Sequence, residues 1–360
     1  MYKSCRILLL VIFLMLFSAT GQSKNLKVVF LNPGFLEQNT TGSFWANVSL
    51  FMQAAADDLT IDLISVYGER NHVVTKSLAG KVASHSPDYV ILVNEKGTGI
   101  HLVKELAKFN FPIFMLLNGF SNIELMQLTP KERSLIIGSV IPNNFTVGKR
   151  LASDLFQLYK SAMPNSEGES LSHLLALQGD HTTPASLQRS AGLKQFLSKN
   201  QKVIAIDSIV AHWSKQQAYQ KVQGLLRRKR IDLIWAANDA MAHGAKQAVD
   251  EANLDYKVLI GGINWDIDEP KHTIDISYGG HVTLGAYALV MLRDIDEGLL
   301  TNEQRHQLLD IFQSSQQDYY LAFKQLLMLN KLSQYNFAMF SQRQNSSSAF
   351  SVENLIKTIK

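Results

Sequence analysis

Residues 234–248 read IWAANDAMAHGAKQA. Ile234 to Ala237 is a short apolar run of the kind that forms a buried strand, and Ala240 to Ala248 carries the small and apolar residues of a helix. Two polar side chains, Asn238 and Asp239, stand at the seam. Asp239 is expected to cap the helix by accepting its free backbone N–H groups. That leaves Asn238, at the carboxyl end of the strand, free to face whatever lies beyond it. Ala240, Ala242 and Gly244 would let the helix pack closely against a sheet.

The same strand-to-helix alternation extends in both directions. Strands are expected at 26–31, 61–67, 89–93, 112–117 and 135–140, and, after a polar break at 165–169, at 173–178, 203–210, 233–237 and 257–262. Helical spacing of apolar residues marks 44–59, 100–109, 146–160, 184–199, 216–228 and 240–251. Strands alternating with helices of roughly ten to fifteen residues indicate βαβ units, and hence parallel sheets covered on both faces. Two such series in 360 residues indicate two α/β domains.

Ahead of this pattern, Lys3 and Arg6 precede an unbroken run of eleven apolar residues, Ile7 to Phe17, followed by the small and polar stretch Ser18 to Ser23. This is the layout of a secretory signal peptide, and the run is too short for a bilayer span of about 20 residues. Residues 1–23 are therefore expected to direct export to the periplasm and to be removed. Cys5 is the only cysteine and lies within that segment, so the mature chain would hold no disulfide. Without Lys3 and Arg6 the 35 basic residues fall to 33 against 31 acidic ones, a balance that gives no reason to expect nucleic acid as a partner. The basic run Arg227 to Arg230 closes an expected helix, where cations meet the negative end of its dipole.

Open parallel sheets bind ligands beyond the carboxyl ends of their strands. The residues at those exits form a non-random set: Asn32, Asn94-Glu95, Asn118, Asn143-Asn144, Gly179-Asp180, His212-Trp213, Asn238-Asp239 and Asn264-Trp265-Asp266, with Phe44-Trp45 soon after the first strand. An isolated Asn after a strand is most often a turn former. Six exits with asparagine, together with Trp45, Trp213 and Trp265, point further, because flat aromatic faces and planar amides suit a neutral polyhydroxylated ring. Trp235 falls inside a strand and reads as core. No phosphate-binding glycine loop, zinc-protease pair or nucleophile elbow is present, the histidines have no metal-ligand spacing, and no carboxylate pair is placed for acid–base work. Neither an enzyme, a cofactor nor a metal site is expected.

The order of these motifs resembles the type I periplasmic solute-binding proteins, the family that includes ribose- and galactose-binding proteins, the ligand domains of lactose-repressor-type regulators and the autoinducer-2 receptor. The segments SFWANV (43–48), PNNFTVGKRLASDL (142–155), GDHTTPASLQRSAGLKQFL (179–197), AHWSKQQAY (211–219), AANDAMAHGAKQA (236–248), IGGINWD (260–266) and SYGGHVTLGAYAL (277–289) carry the resemblance, which covers nearly all of 26–300. It implies two doubly wound parallel-sheet lobes joined by a three-strand hinge near 141–144, 277–281 and 311–316. Residues 24–141 plus 279–312 would form the N-terminal lobe, and 142–278 plus 313–360 the C-terminal lobe. Phe44, Trp45, Asn118, Asn144, Arg189, Trp213, Asn238 and Asn264 would contact the ligand, while His281 stands either at the hinge or at the ligand.

Two departures bear on the ligand. Leu117-Asn118 occupies the exit where sugar binders often carry an Asp-Arg pair, and Asn264 replaces the acid usual in ribose binders. The resemblance thus implies a monomer that captures a small polar ligand, a sugar or sugar-like furanose, and presents it to an ABC-type membrane permease. The C-terminal stretch YNFAMFSQRQNSSSAFSVENL (335–355) is reminiscent of the autoinducer-2 receptor branch, whose implied partner is a membrane sensor kinase. A transcriptional regulator of the same fold would begin with DNA-reading helices where this chain has an apolar export signal.

Overall fold

A computed structural model describes residues 25–36, 41–163, 171–266, 272–344 and 349–359. The expected signal peptide and the polar break at 165–169 lie outside the described residues.

The first series comprises β1 (Leu26–Asn32), α1 (Phe44–Leu59), β2 (Ile61–Tyr67), α2 (His72–Ser84), β3 (Tyr89–Leu92), α3 (Gly99–Ala107), β4 (Ile113–Leu116), the short helices α4 (Asn122–Leu125) and α5 (Pro130–Ser134), and β5 (Ile136–Pro142). The second comprises α6 (Asn144–Ala162), β6 (Ser172–Gln178), α7 (Pro184–Lys199), β7 (Val203–Val210), α8 (Lys215–Leu226), β8 (Leu233–Ala236), α9 (Asp239–Glu251), β9 (Leu259–Asn264) and β10 (Ile276–Gly279). The chain then returns through α10 (Leu284–Asp296), β11 (His306–Leu309), β12 (Gln313–Ser314), α11 (Tyr320–Met328) and α12 (Val352–Ile356).

The strands form two six-stranded sheets, ordered β11-β5-β4-β3-β1-β2 and β12-β10-β9-β8-β6-β7, parallel throughout except for the antiparallel pair β10–β12. Central strands such as β4 and β8 are buried along their whole length, which is why they read as continuous apolar runs; the edge strands β2, β7 and β11 alternate or turn polar because one face meets water. In each sheet the strand order reverses beside the first strand, so switch points lie between β1 and β3 and between β6 and β8. Among the described residues three segments carry the chain between the sheets: 142–144, 279–284 and 309–313. The third lies slightly earlier than expected, because the short edge strand β11 joins the first sheet.

The stretch from 313 onward does not stay with the second sheet. β12 pairs with β10 there, but Phe323 then stacks on Phe51 of α1 (5.5 Å) and meets Trp265 beyond β9 edge to face (5.3 Å). Further on, the Ala338 N–H donates to Asp58 (3.0 Å), the Ser341 hydroxyl donates to Asp294 on α10, and Phe350 stacks on Tyr287 at 4.2 Å. The packed pair α1 and α10 has an apolar outer face, and this C-terminal segment covers it.

Candidate ligand-binding site

At the seam that opens α9 the cap falls to Asn238 and not to Asp239, while Asn238 still lines the cavity. The helix begins at Asp239, so Asn238 is the capping residue: its carboxamide oxygen accepts the Met241 N–H at 2.9 Å and its Nδ2 donates to the Trp213 carbonyl at 3.1 Å. Asp239 is turned inward and fully buried, accepting from the Ser277 hydroxyl (2.8 Å) and the Asp266 N–H (2.9 Å). Gly244 packs against the first turn of α8 rather than the sheet, and a Cβ there would lie 2.1 Å from the Lys215 carbonyl oxygen.

Both sheets point their carboxyl edges at one cavity. Every parallel strand from β1 to β10 sends at least one lining side chain: Phe44 and Trp45 after β1, Arg70 after β2, Glu95 after β3, Asn118 after β4, Asn144 after β5, Arg189 on α7 after β6, Trp213 after β7, Asn238 after β8, Asn264 at the end of β9 and His281 after β10. All eight residues singled out from the sequence therefore line the same space, and His281, left open between hinge and ligand, lies within the second crossing and also lines the cavity. The cavity offers about 50 Å³ to the centre of a water molecule. Rounded to a sphere and widened by a water radius of about 1.4 Å, that is a molecular volume of about 200 Å³, room for one small ring-sized solute and not two.

Arg189 anchors the floor. Its Nε donates to Asn144 Oδ1 (2.9 Å), Nη1 to the Ala237 carbonyl (2.6 Å), and Nη2 lies 3.3 Å from His281 Nε2. Burial pulls its pKa down to about 9 against the raising influence of Asp239, so it is a cation at neutral pH. Of five guanidinium N–H groups, three are taken, leaving one on each terminal nitrogen. A guanidinium only donates, so His281 accepts at Nε2 and a neutral ring carries its proton on Nδ1, which is buried without a protein partner. Burial, and then the charge of Arg189, hold His281 well below the ordinary histidine range. Its ring is stacked on Phe44 (4.6 Å) and packs against Phe312 (4.5 Å).

The aromatic walls are fixed by their neighbours. Phe44 meets Trp45 edge to face at 5.1 Å. The Trp213 indole N–H donates to Asp180 at 2.8 Å, and its ring lies over Gly179, where a Cβ would come within 2.2 Å. Burial acts to raise Asp180, but bonds from Thr183, Trp213 and Thr182 outweigh it and hold the carboxyl below its usual range. Leu117 (φ 63°) and Trp213 (φ 62°) adopt left-handed backbone at these exits, a conformation costly for side-chain-bearing residues and concentrated at functional sites.

Other exits serve the fold. Asn32 donates to the Trp45 carbonyl and the Ser49 hydroxyl and accepts from Gly34; Asn94 donates to the Gly119 carbonyl and to Glu124; Asn143 caps α6. Trp265 is buried against Tyr320 and Phe323, with its indole N–H on the Ser277 carbonyl, and Trp235 is core as expected. The charged contact missing after β4 has a counterpart that sequence reading passed over: Arg70 and Glu95 form an ion pair at 2.8 Å in the cavity wall. Burial raises the Glu95 pKa, the Arg70 charge opposes this, and Asp180 across the cleft adds to it. Glu95 stood in the set of strand exits, and that was the available signal.

The two lobes touch across the cleft. The Ser43 hydroxyl donates to Asp266 Oδ1 (3.2 Å), the Ala185 N–H to Asn118 Oδ1 (3.2 Å), and the Lys96 N–H to the Thr183 hydroxyl (3.4 Å). Burial, and then repulsion from Asp239, push Asp266 up to about 7, with His243 opposing. Among the described residues no cluster of histidine, cysteine and carboxylate side chains is placed to hold a metal ion, and no helix is long and apolar enough to cross a membrane.

Comparison with known proteins agrees with this architecture. The family described as "Periplasmic binding protein domain" matches residues 34–269. The chain is 26% identical over 232 residues to the fructose import binding protein FruE of Bifidobacterium longum, covering 63% of this chain and 66% of that protein, just under two thirds of its length. A periplasmic sugar-binding protein from Pseudomonas fluorescens superposes with a TM-score of 0.77 at 30% identity, over 92% of this chain and 99% of that one. The fructose-binding periplasmic domain of a hybrid two-component system gives 0.68 at 16% identity, over 85% and 97%, a likeness of fold alone. Two parallel-sheet lobes, three crossings and a cavity at the facing strand ends, together with the match over 34–269, show that the chain belongs to the type I periplasmic binding proteins.

Proposed function

We propose that this protein captures one sugar, in furanose or furanose-like form, between its lobes in the periplasm and presents the closed complex to an ABC-type permease, without chemical turnover. The observation that carries this is Arg189, held by three protein acceptors with two N–H groups left over, inside a cavity of single-ring size. Two N–H donors on one planar group suit the vicinal oxygens of a sugar. Phe44, Trp45 and Trp213 supply apolar faces for its C–H groups, and Asn118, Asn144, Asn238 and Asn264 the directional amides. Because the lining comes from both lobes, a bound sugar favours the closed state, with the three crossings as hinge. The fructose-import relative makes D-fructose the first candidate.

Thermal denaturation against D-fructose, L-arabinose, D-galactose, ribose and polyols tests the reading. A ligand at 100 times its Kd adds about 2.7 kcal/mol of stability. No shift with any sugar, on folded protein, would remove the sugar reading. A second reading, occupancy passed to a membrane histidine kinase, is favoured by the similar fold of the two-component sensor domain. Neighbouring genes for a permease and ATPase, or for a kinase, separate the two.

A further inference from the structure

A second cavity lies on the flank of the cleft and offers about 560 Å³ by the same measure, more than ten times the inner one. It too is built from both lobes, by residues that follow β4, strands β5 and β11, and the first turn of α7. Leu117 and Asn118 line both cavities, and the lining passes from Ala185 inside to its neighbour Pro184 outside. The Asn118 side chain, whose oxygen accepts from the Ala185 N–H at 3.2 Å, therefore stands where the two linings meet.

The outer space has the chemistry argued for the inner one. Phe120 gives a flat apolar face, while Ser121, Thr182, Gln188 and Gln307 give hydroxyls and amides, and the exposed Leu187 and Leu308 sit among the lining residues. Its titratable groups are committed to the protein. Glu124 accepts from the Ser121 N–H and hydroxyl and from Asn94, and the His306 ring bonds the Ser139 hydroxyl. No lysine or arginine lines it, so nothing there would hold a phosphate or carboxylate, and Glu124 would repel one.

We propose that the physiological ligand is a neutral glycoside: the inner cavity encloses its terminal ring, and the glycosidic linkage passes the Asn118–Ala185 contact so that a second sugar unit occupies the outer cavity. This rests on the sugar reading and narrows its substrate class. No bond of the ligand is made or broken. The linkage displaces one hydrogen bond, and the ligand's own oxygens replace the lost partner on Asn118 or the Ala185 N–H.

Titration calorimetry on the full-length mature protein compares D-fructose, methyl β-D-fructofuranoside and the β-2,1-linked dimer inulobiose, and the corresponding arabinose and galactose furanosides if those free sugars gave the larger thermal shift. The dimer is expected to bind at least tenfold tighter than the free sugar. Gln188→Trp, on the exposed start of α7, fills the outer cavity; it should weaken the dimer at least tenfold and leave the free sugar within twofold, and Leu187→Trp should act likewise. A free sugar that binds tighter than its glycosides, or variants that change both ligands equally, overturns the glycoside proposal and leaves the sugar reading standing. Absence of binding by every sugar and glycoside overturns both.

Discussion

Replacing Arg189 by lysine keeps a positive charge at the centre of the cavity and removes its geometry. In the native site three acceptors, Asn144 Oδ1, the Ala237 carbonyl and His281 Nε2, are met by three different nitrogens of one planar group. A lysine ammonium is a single point and cannot reach all three. At least one buried acceptor loses its donor, which costs about 1–3 kcal/mol of stability, and the melting temperature should fall by several degrees. Binding should suffer more. The two leftover N–H groups would make charge-assisted bonds to the ligand, each worth about 1.5–3 kcal/mol, so losing both raises Kd by roughly 100-fold or more. Calorimetry with the tightest sugar of the panel measures this directly. Asn144→Ala is the comparison: it frees Nε but leaves the two remaining N–H groups of Arg189, and should weaken binding by roughly tenfold through looser positioning and the loss of its own amide. A lysine variant that folds and binds within threefold of the native protein would show that Arg189 braces the cavity and does not touch the ligand.

Three other outcomes follow from single contacts. Asp266 holds its proton more tightly in the folded protein than in the unfolded chain, so stability should fall as pH rises from about 4 toward 7 and level off above; Asp266→Asn should raise the melting temperature most at pH 8, less at pH 5 and little at about pH 4, and equal effects across that range would refute the buried-charge assignment. Asn238→Ala removes the cap of α9, and denaturant unfolding should show a loss of about 1 kcal/mol, with sugar affinity reduced less than by the Arg189 variant; the reverse order would make Asn238 chiefly a ligand contact. Phe323→Ala empties the gap between Phe51 and Trp265 and should cost about 3–5 kcal/mol; a loss below 1 kcal/mol would show that the C-terminal segment is not part of the cooperative core.

The alternation of strands and helices was legible because hydrophobic period is a local signal, and topology then does the rest: in a doubly wound sheet all carboxyl ends face one way, so reading strand exits finds cavity residues without knowing any contact. What local reading lacks is register to one residue and partners distant in sequence. Asn238 and Asp239 are both good caps, and which one caps depends on whether the first helical residue is 239 or 240, a distinction finer than periodicity resolves. Arg70 and Glu95 pair across two loops 25 residues apart, and neither loop shows the other. Phe323 lies on the short helix α11, but Tyr335 ends one 3-10 turn and Phe337 opens another, both too short to show a period, and the surface of α1 that this segment covers is distant in sequence.

The asparagines show where the limit lies in chemical terms. An amide after a strand has two equivalent uses, to satisfy the backbone of its own turn or to face a solute, and the same donor and acceptor serve both. Asn32 spends both ends on the protein, through Trp45, Ser49 and Gly34. Asn238 spends one acceptor position and one N–H on Met241 and Trp213, yet still lines the cavity with its remaining capacity. Asn118 is the intermediate case: its oxygen bridges the lobes to Ala185, so its amide reports closure as well as content. A side chain that must let go of the opposite lobe before a linked group can pass is placed to sense the length of a ligand, whereas Arg189 and Asn144, locked to each other at 2.9 Å, are placed to sense its ring. Substitutions at Asn118 should therefore alter the ratio of glycoside to free-sugar affinity, and substitutions at Arg189 should lower both together, a contrast that titrating the two ligands against each variant measures.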